Sequence, residues 1–122
     1  MNKIELRQRT KQFALRIMKL VDSLPRSSSG WAIGRQLIRS GTSVGANYRA
    51  ACQGRSRADF ISKLSIVLEE ADECVYWLEL IIDGALLPAA KVQPLHKEAD
   101  ELTAIFVTSL KTARRNRKKE AR

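Results

Sequence analysis

Few residues in this chain have chemistry to offer. His96 is the only histidine, and Cys52 and Cys74 are the only thiols. None sits in a context that supplies a nucleophile, a base and a group to orient it, so the chain is not expected to be an enzyme. A di-iron bundle needs Glu-x-x-His from two helices plus further carboxylates, which one histidine cannot provide. Glu69, Glu70, Asp72 and Glu73 could touch a cation, but carboxylates so placed also solvate a helix or meet arginines of a neighbouring one. No metal and no cofactor is expected. Ser40-Gly41-Thr42-Ser43-Val44-Gly45 lacks the Gly-Lys-Ser/Thr ending that brings a lysine to a bound phosphate. What remains is cationic. Arg35, Arg39 and Arg49 recur at helical steps with Thr42 and Ala46 between them, and Arg114, Arg115, Arg117, Lys118 and Lys119 crowd the end of the chain. Such a stripe either faces a polyanion or is a plain solvated surface.

The charge is unevenly distributed. Residues 1–57 carry twelve Lys/Arg against two acids (+10), residues 58–110 three against ten (−7), and residues 111–122 seven against one (+6). An asymmetry of this size fits an acidic partner such as nucleic acid, or oppositely charged helices pairing within an assembly. Two cysteines outside any C-x-x-C pair make no disulfide framework. With no signal peptide and no apolar run of spanning length, the expectation is a cytoplasmic protein that does not enter a membrane.

The elements that must position these cations are helices. Length fits one domain, and Leu, Ala, Arg, Lys and Glu dominate without alternating β-branched runs. A first helix is expected from about Ile4 to Leu24, stopped by Pro25, with Leu6, Phe13, Ile17, Leu20, Val21 and Leu24 as its stripe. A second, from about Trp31 to Gln53, carries Leu37, Ile38, Gly41, Val44, Gly45 and Tyr48 on one face. Two glycines there cost roughly 1 kcal/mol each in helix propensity, and close approach of a neighbouring helix accounts for them. Ser-Gly-Thr-Ser is also turn composition, so a loop competes.

Ser56-Arg57-Ala58-Asp59 reads as a capping box, opening a third helix from about Arg57 to Asp83 with Gly84 as its stop. Phe60, Leu64, Val67, Leu68, Ala71, Val75, Leu78 and Ile82 form its expected core stripe. Ile66, Trp77 and Leu80 project elsewhere, as a contact between protomers or as scattered surface apolar residues. The fourth helix begins at Pro88 with a bend or near Pro94, and buries Leu95, Ala99, Leu102, Phe106, Leu110 and Ala113. These elements predict an all-α, antiparallel up-down four-helix bundle over 1–113, followed by a basic tail, 114–122, expected to be frayed or disordered.

Three runs carry a family resemblance: Gln36 to Asn47 (QLIRSGTSVGAN), Asp59 to Ile66 (DFISKLSI) and Glu70 to Leu78 (EADECVYWL). With them the chain resembles the four-helix bundle proteins encoded in intervening sequences of bacterial large-subunit ribosomal RNA genes. It is also similar to the accessory variability determinant of diversity-generating retroelements. The resemblance spans nearly the whole chain and implies a homopentameric ring. For the retroelement relatives it further implies binding of RNA and reverse transcriptase through a basic surface. This chain departs from the family's pattern at Arg49-Ala50 and Cys74, so polar contacts made there by relatives do not carry over. The expectation is a non-enzymatic homo-oligomer that binds RNA or a nucleic-acid-processing protein through Arg35, Arg39, Arg49 and the tail. Ile66, Trp77 and Leu80 are its candidate interface. Lys/Arg contacts to phosphates give affinity without sequence information. A protein-interaction scaffold with no nucleic-acid role is the alternative.

Overall fold

Four helices account for nearly all of the chain: α1 (Lys3–Asp22), α2 (Ser28–Cys52), α3 (Arg57–Asp83) and α4 (Ala89–Ala121). The structure is a computed structural model that describes residues 1–121. Each helix buries residues in a three–four alternation, the seam geometry of helices packed side by side. In α2 the buried set is Gly30, Gly34, Leu37, Ser40, Gly41, Val44, Tyr48 and Ala51, and in α3 it includes Leu64, Val67, Ala71, Cys74, Leu78 and Ile81. The helices pack in sequence order. α2 packs broadly against α1 and α3, and α3 against α4, while the backbone of α1 approaches that of α4 only thinly and nowhere comes close to that of α3.

Side-chain caps fix where the helices begin. Asn2, Ser27 and Ser56 each accept a hydrogen bond from the backbone N–H three residues on, which satisfies one of the donors a helix start leaves open. Capping by Ser27 starts α2 three residues earlier than the expected Trp31. Gly30 then lies inside the helix, where an added Cβ would collide with the Pro25 carbonyl oxygen.

The glycine seam is helical, and it is a contact. A Cβ at Gly41 would meet both γ-carbons of Ile17 at 2.8 Å, and one at Gly45 would lie 3.4 Å from Thr10. Gly34 opposes Val21 and Leu24. Rising positions in α2 thus face falling positions in α1.

Three details differ from the sequence reading. The α3 core is rotated: Ile61, Cys74 and Ile81 are buried, whereas Phe60, Leu68 and Ile82 only pack against the core from its rim. Gly84 stops α3 as expected, but as an ordinary right-handed C-cap at φ −81°. The left-handed residue is Ala85, at φ 54°, with Leu86 N–H donating to the Ile81 carbonyl and Ala85 N–H to that of Ile82, a Schellman closure. A left-handed L-residue costs about 1–2 kcal/mol and glycine's extra unfolded-state freedom about 0.5–1 kcal/mol. Ala85→Gly is therefore expected to raise unfolding stability by about 0.5–1 kcal/mol, read by urea titration.

The fourth helix begins at Ala89, with Pro94 inside it. It does not fray at residue 114: helix continues through the basic segment to Ala121, and Arg57 bonds Glu120 at 2.7 Å. Arg122, the last residue of the expected tail, lies outside the described residues. No described helix is long and apolar enough to cross a membrane.

Candidate nucleic-acid interface

One end of the molecule gathers the start of α1, the end of α2, the start of α3 and the end of α4. Lys3 lies over the Phe60 ring at 5.0 Å. Lys3, Cys52, Arg55, Arg57, Phe60 and Glu120 line a single cleft there. A larger groove of about 500 Å³ runs beside it between α1 and α2, lined by Ile4, Arg7, Lys11, Ala14, Thr42 and Arg49 among others. Small residues on α2 make this groove, since Gly45 and Ala46 leave α1 and α2 close without filling the space above them.

Among the described residues, Arg7, Lys11, Arg49, Arg55, Arg114, Arg115, Arg117, Lys118 and Lys119 make no ion pair. Arg57 is the neutralised one. The Glu120 carboxylate raises its pKa, and the guanidinium lowers that of Glu120 in return. Cations so exposed stay hydrated until a polyanion binds them and releases its condensed counterions into solution.

The structure divides the cations singled out in the sequence. Arg49 joins Arg114, Arg115, Arg117, Lys118 and Lys119 at the basic end, all of them exposed. Arg35 does not join them. It lies fourteen residues from Arg49, roughly 21 Å along the helix axis at 1.5 Å per residue, in a separate cleft with Arg26 and Trp31. Arg39, between them, is engaged within the chain: it donates to Glu73 and bonds Glu70 at 3.3 Å, which raises its pKa. The three arginines of α2 are therefore not one surface.

Sequence reading passed over Arg7, Lys11 and Arg55, which the groove and cleft bring beside Arg49. The available signal was the four-residue step of Lys3, Arg7 and Lys11. It also missed Arg9, whose Nε and Nη2 reach Glu98 at 2.8 and 2.6 Å and whose Nη2 also reaches Glu101 at 2.7 Å, joining α1 to α4.

The remaining candidate chemistry is dispersed. Ile66 is exposed, while Trp77 and Leu80 are half-buried; the Trp77 indole N–H donates to Glu73 at 3.1 Å and its ring meets Tyr76 edge-on at 5.1 Å. Cys74 is buried against α2, donating to Ser40 Oγ at 3.4 Å, and burial pushes its thiol up to about 12. Cys52, at the basic cleft, is half-buried. A reagent reaches only thiols open to solvent, so a disulfide reagent is expected to modify the half-exposed Cys52 in the folded protein. Cys74 should react only after unfolding. Two fast-reacting thiols in the native protein would contradict the packing at Ser40. His96 stands near Glu79 (3.5 Å) and Asp100 (3.8 Å). Among the described residues no three His, Cys, Asp or Glu side chains are grouped to hold a metal ion.

The fold defines the class: an all-helical protein of four packed amphipathic helices, with no strand among the described residues. Within that class the chain belongs to the family described as 23S rRNA-intervening sequence protein, which matches residues 2–108. A solved structure from Bacteroides thetaiotaomicron, described as a protein of unknown function from the S23 ribosomal protein family, has a TM-score of 0.81 and 37% identity to it. The match covers 87% of this chain and 98% of that one. No curated protein matches the chain. The family match ends at residue 108, so the basic turns that close α4 lie beyond it.

Proposed function

We propose that this protein is a non-enzymatic, cytoplasmic, antiparallel up-down bundle that assembles into a ring-like homo-oligomer and binds RNA through the basic end. The falling register of α1 against α2 and the four helix termini gathered at one end support the antiparallel arrangement. The family's name, tied to intervening sequences of 23S rRNA, favours RNA over other polyanions. The resemblance noted from the sequence supports a ring of five.

The observation that carries the nucleic-acid reading is the gathering, at one end of the bundle, of unpaired cations from the end of α2 (Arg49), the α2–α3 turn (Arg55) and the end of α4. Nothing there reads bases. Phe60, the aromatic residue in the cleft lining, is half-buried with Lys3 over its ring, and Tyr48 and Phe106 are buried in the core, so there is no row of open rings for stacking on single-stranded bases. Binding is thus expected to depend on phosphates, to fall steeply with salt and to differ little between sequences. Fluorescence anisotropy with a structured RNA from low to moderate salt tests this, and a flat response would overturn it. One observation favours the scaffold alternative: Arg39 is engaged by Glu70 and Glu73. A protein that assembles but leaves RNA untouched at low salt would establish that reading instead.

A further inference from the structure

Large apolar side chains left open within the helices gather on two faces. On α1 they are Ile4, Leu15 and Met18, 65, 46 and 43% exposed; on α3 they are Ile66 and Tyr76, 40 and 54% exposed; only Trp31 lies elsewhere among the described helices. Neither face is covered by this chain, and α1 and α3, whose backbones make no close approach, occupy opposite corners.

The two faces carry the same spacing. Ile4, Lys11, Leu15 and Met18 follow steps of seven, four and three, and so do Ile66, Glu73, Trp77 and Leu80. At this constant offset, the positions between them are complementary as well. Arg7 corresponds to Glu69, Lys11 to Glu73, and Ala14 to Tyr76. Apolar residues thus stand opposite apolar ones, each cation opposite an acid, and a large aromatic ring opposite a methyl group.

We propose that the outward face of α1 in one copy packs lengthwise, in the same direction, against the outward face of α3 in a second copy, in this register. The inference rests on the assembly reading above and assigns its two surfaces. Tyr76 of one copy enters the α1/α2 groove of the next beside Ala14. Arg7 and Glu69 meet at the rim, and Leu15 and Met18 cover Trp77 and Leu80. Because the two patches differ and lie on opposite sides of the protomer, the contact is heterologous, and its repetition closes a ring or extends a filament. Arg7 and Lys11 are then taken up in assembly. Arg49, Arg55 and the end of α4 are left for the polyanion.

Arg7 and Glu69 are both exposed and make no ion pair within the described chain, so reversing either leaves the fold intact, which circular-dichroism melting checks. Sedimentation velocity on full-length protein is the test. Arg7→Glu and Glu69→Arg are each expected to weaken subunit association by about tenfold or more, since like charges then face each other across the contact. The double variant restores it. A monomeric wild type would overturn both this inference and the assembly reading. An oligomer indifferent to both single reversals, or not rescued by the double, would overturn this pairing alone.

Discussion

Gly41→Val is expected to lower the unfolding free energy by about 2–3 kcal/mol, at the upper end of what overpacking costs in a filled interior. The β-carbon alone would stand 2.8 Å from two carbons of Ile17, which is itself fully buried. Ile17 is β-branched and held to one rotamer in a helix, so it cannot swing aside; α1 has to move away from α2. Alanine makes the first of these clashes but recovers about 1 kcal/mol of helix propensity, so its net cost is smaller. Gly45→Ala is expected to have the opposite sign. Its nearest neighbours, the atoms of Thr10, lie at 3.4 Å, an ordinary contact, and the propensity gain of up to about 1 kcal/mol then stands nearly alone. Urea unfolding at one fixed protein concentration reads both, because assembly makes stability concentration-dependent. Stabilisation by both would mean that the seam is not a close approach.

Replacing Arg114, Arg115 and Arg117 together with alanine is expected to reduce the salt slope of RNA affinity by about 2–3, near 0.7–0.9 for each phosphate no longer neutralised. Affinity at low salt falls with it. Arg35→Ala, in the cleft at the other end, leaves the slope unchanged. Arg39→Ala does so too, because Glu70 and Glu73 already hold that guanidinium. Anisotropy titrations at three salt concentrations separate these outcomes. Losses that scale only with the number of charges removed, each single variant losing about a third of what the triple loses, would mean that the basic end has no special place and that net charge alone governs binding.

Much of this architecture was legible in the sequence because helix periodicity and caps are local signals. Ser56 caps α3 as its spacing indicates, and the α4 stripe from Leu95 to Ala113 is buried throughout. The α3 face was read one step off because Phe60 and Ile82, bulkier and more apolar, outweighed Cys74 in the pattern. Only the neighbouring Ser40 shows why a thiol fills that place. Helix at the end of α4 was likewise hidden: the cationic run suggests repulsion, whereas its register continues the buried stripe above it and Glu120 reaches Arg57. The site was less legible than the fold. A linear reading ranks Arg35, Arg39 and Arg49 together because they share a face. Separation along the axis, which the fourteen-residue spacing already contains, and the carboxylates of α3, which cannot be seen within α2, divide them. Arg7 and Lys11 gain their position from a groove that exists only once α1 lies on α2.

The thin contact between α1 and α4 has a consequence for how the chain comes apart. Since each helix leans chiefly on its neighbours in sequence, most contacts are local and folding should be fast. The first helix, broadly attached on one flank and clasped on the other by the Arg9 guanidinium, is the natural place for partial opening. Its amides should exchange with solvent deuterium before those at the centre of α3, which has broad neighbours on both sides. Subunits exchanging between assemblies would then have a route that leaves the other three helices folded.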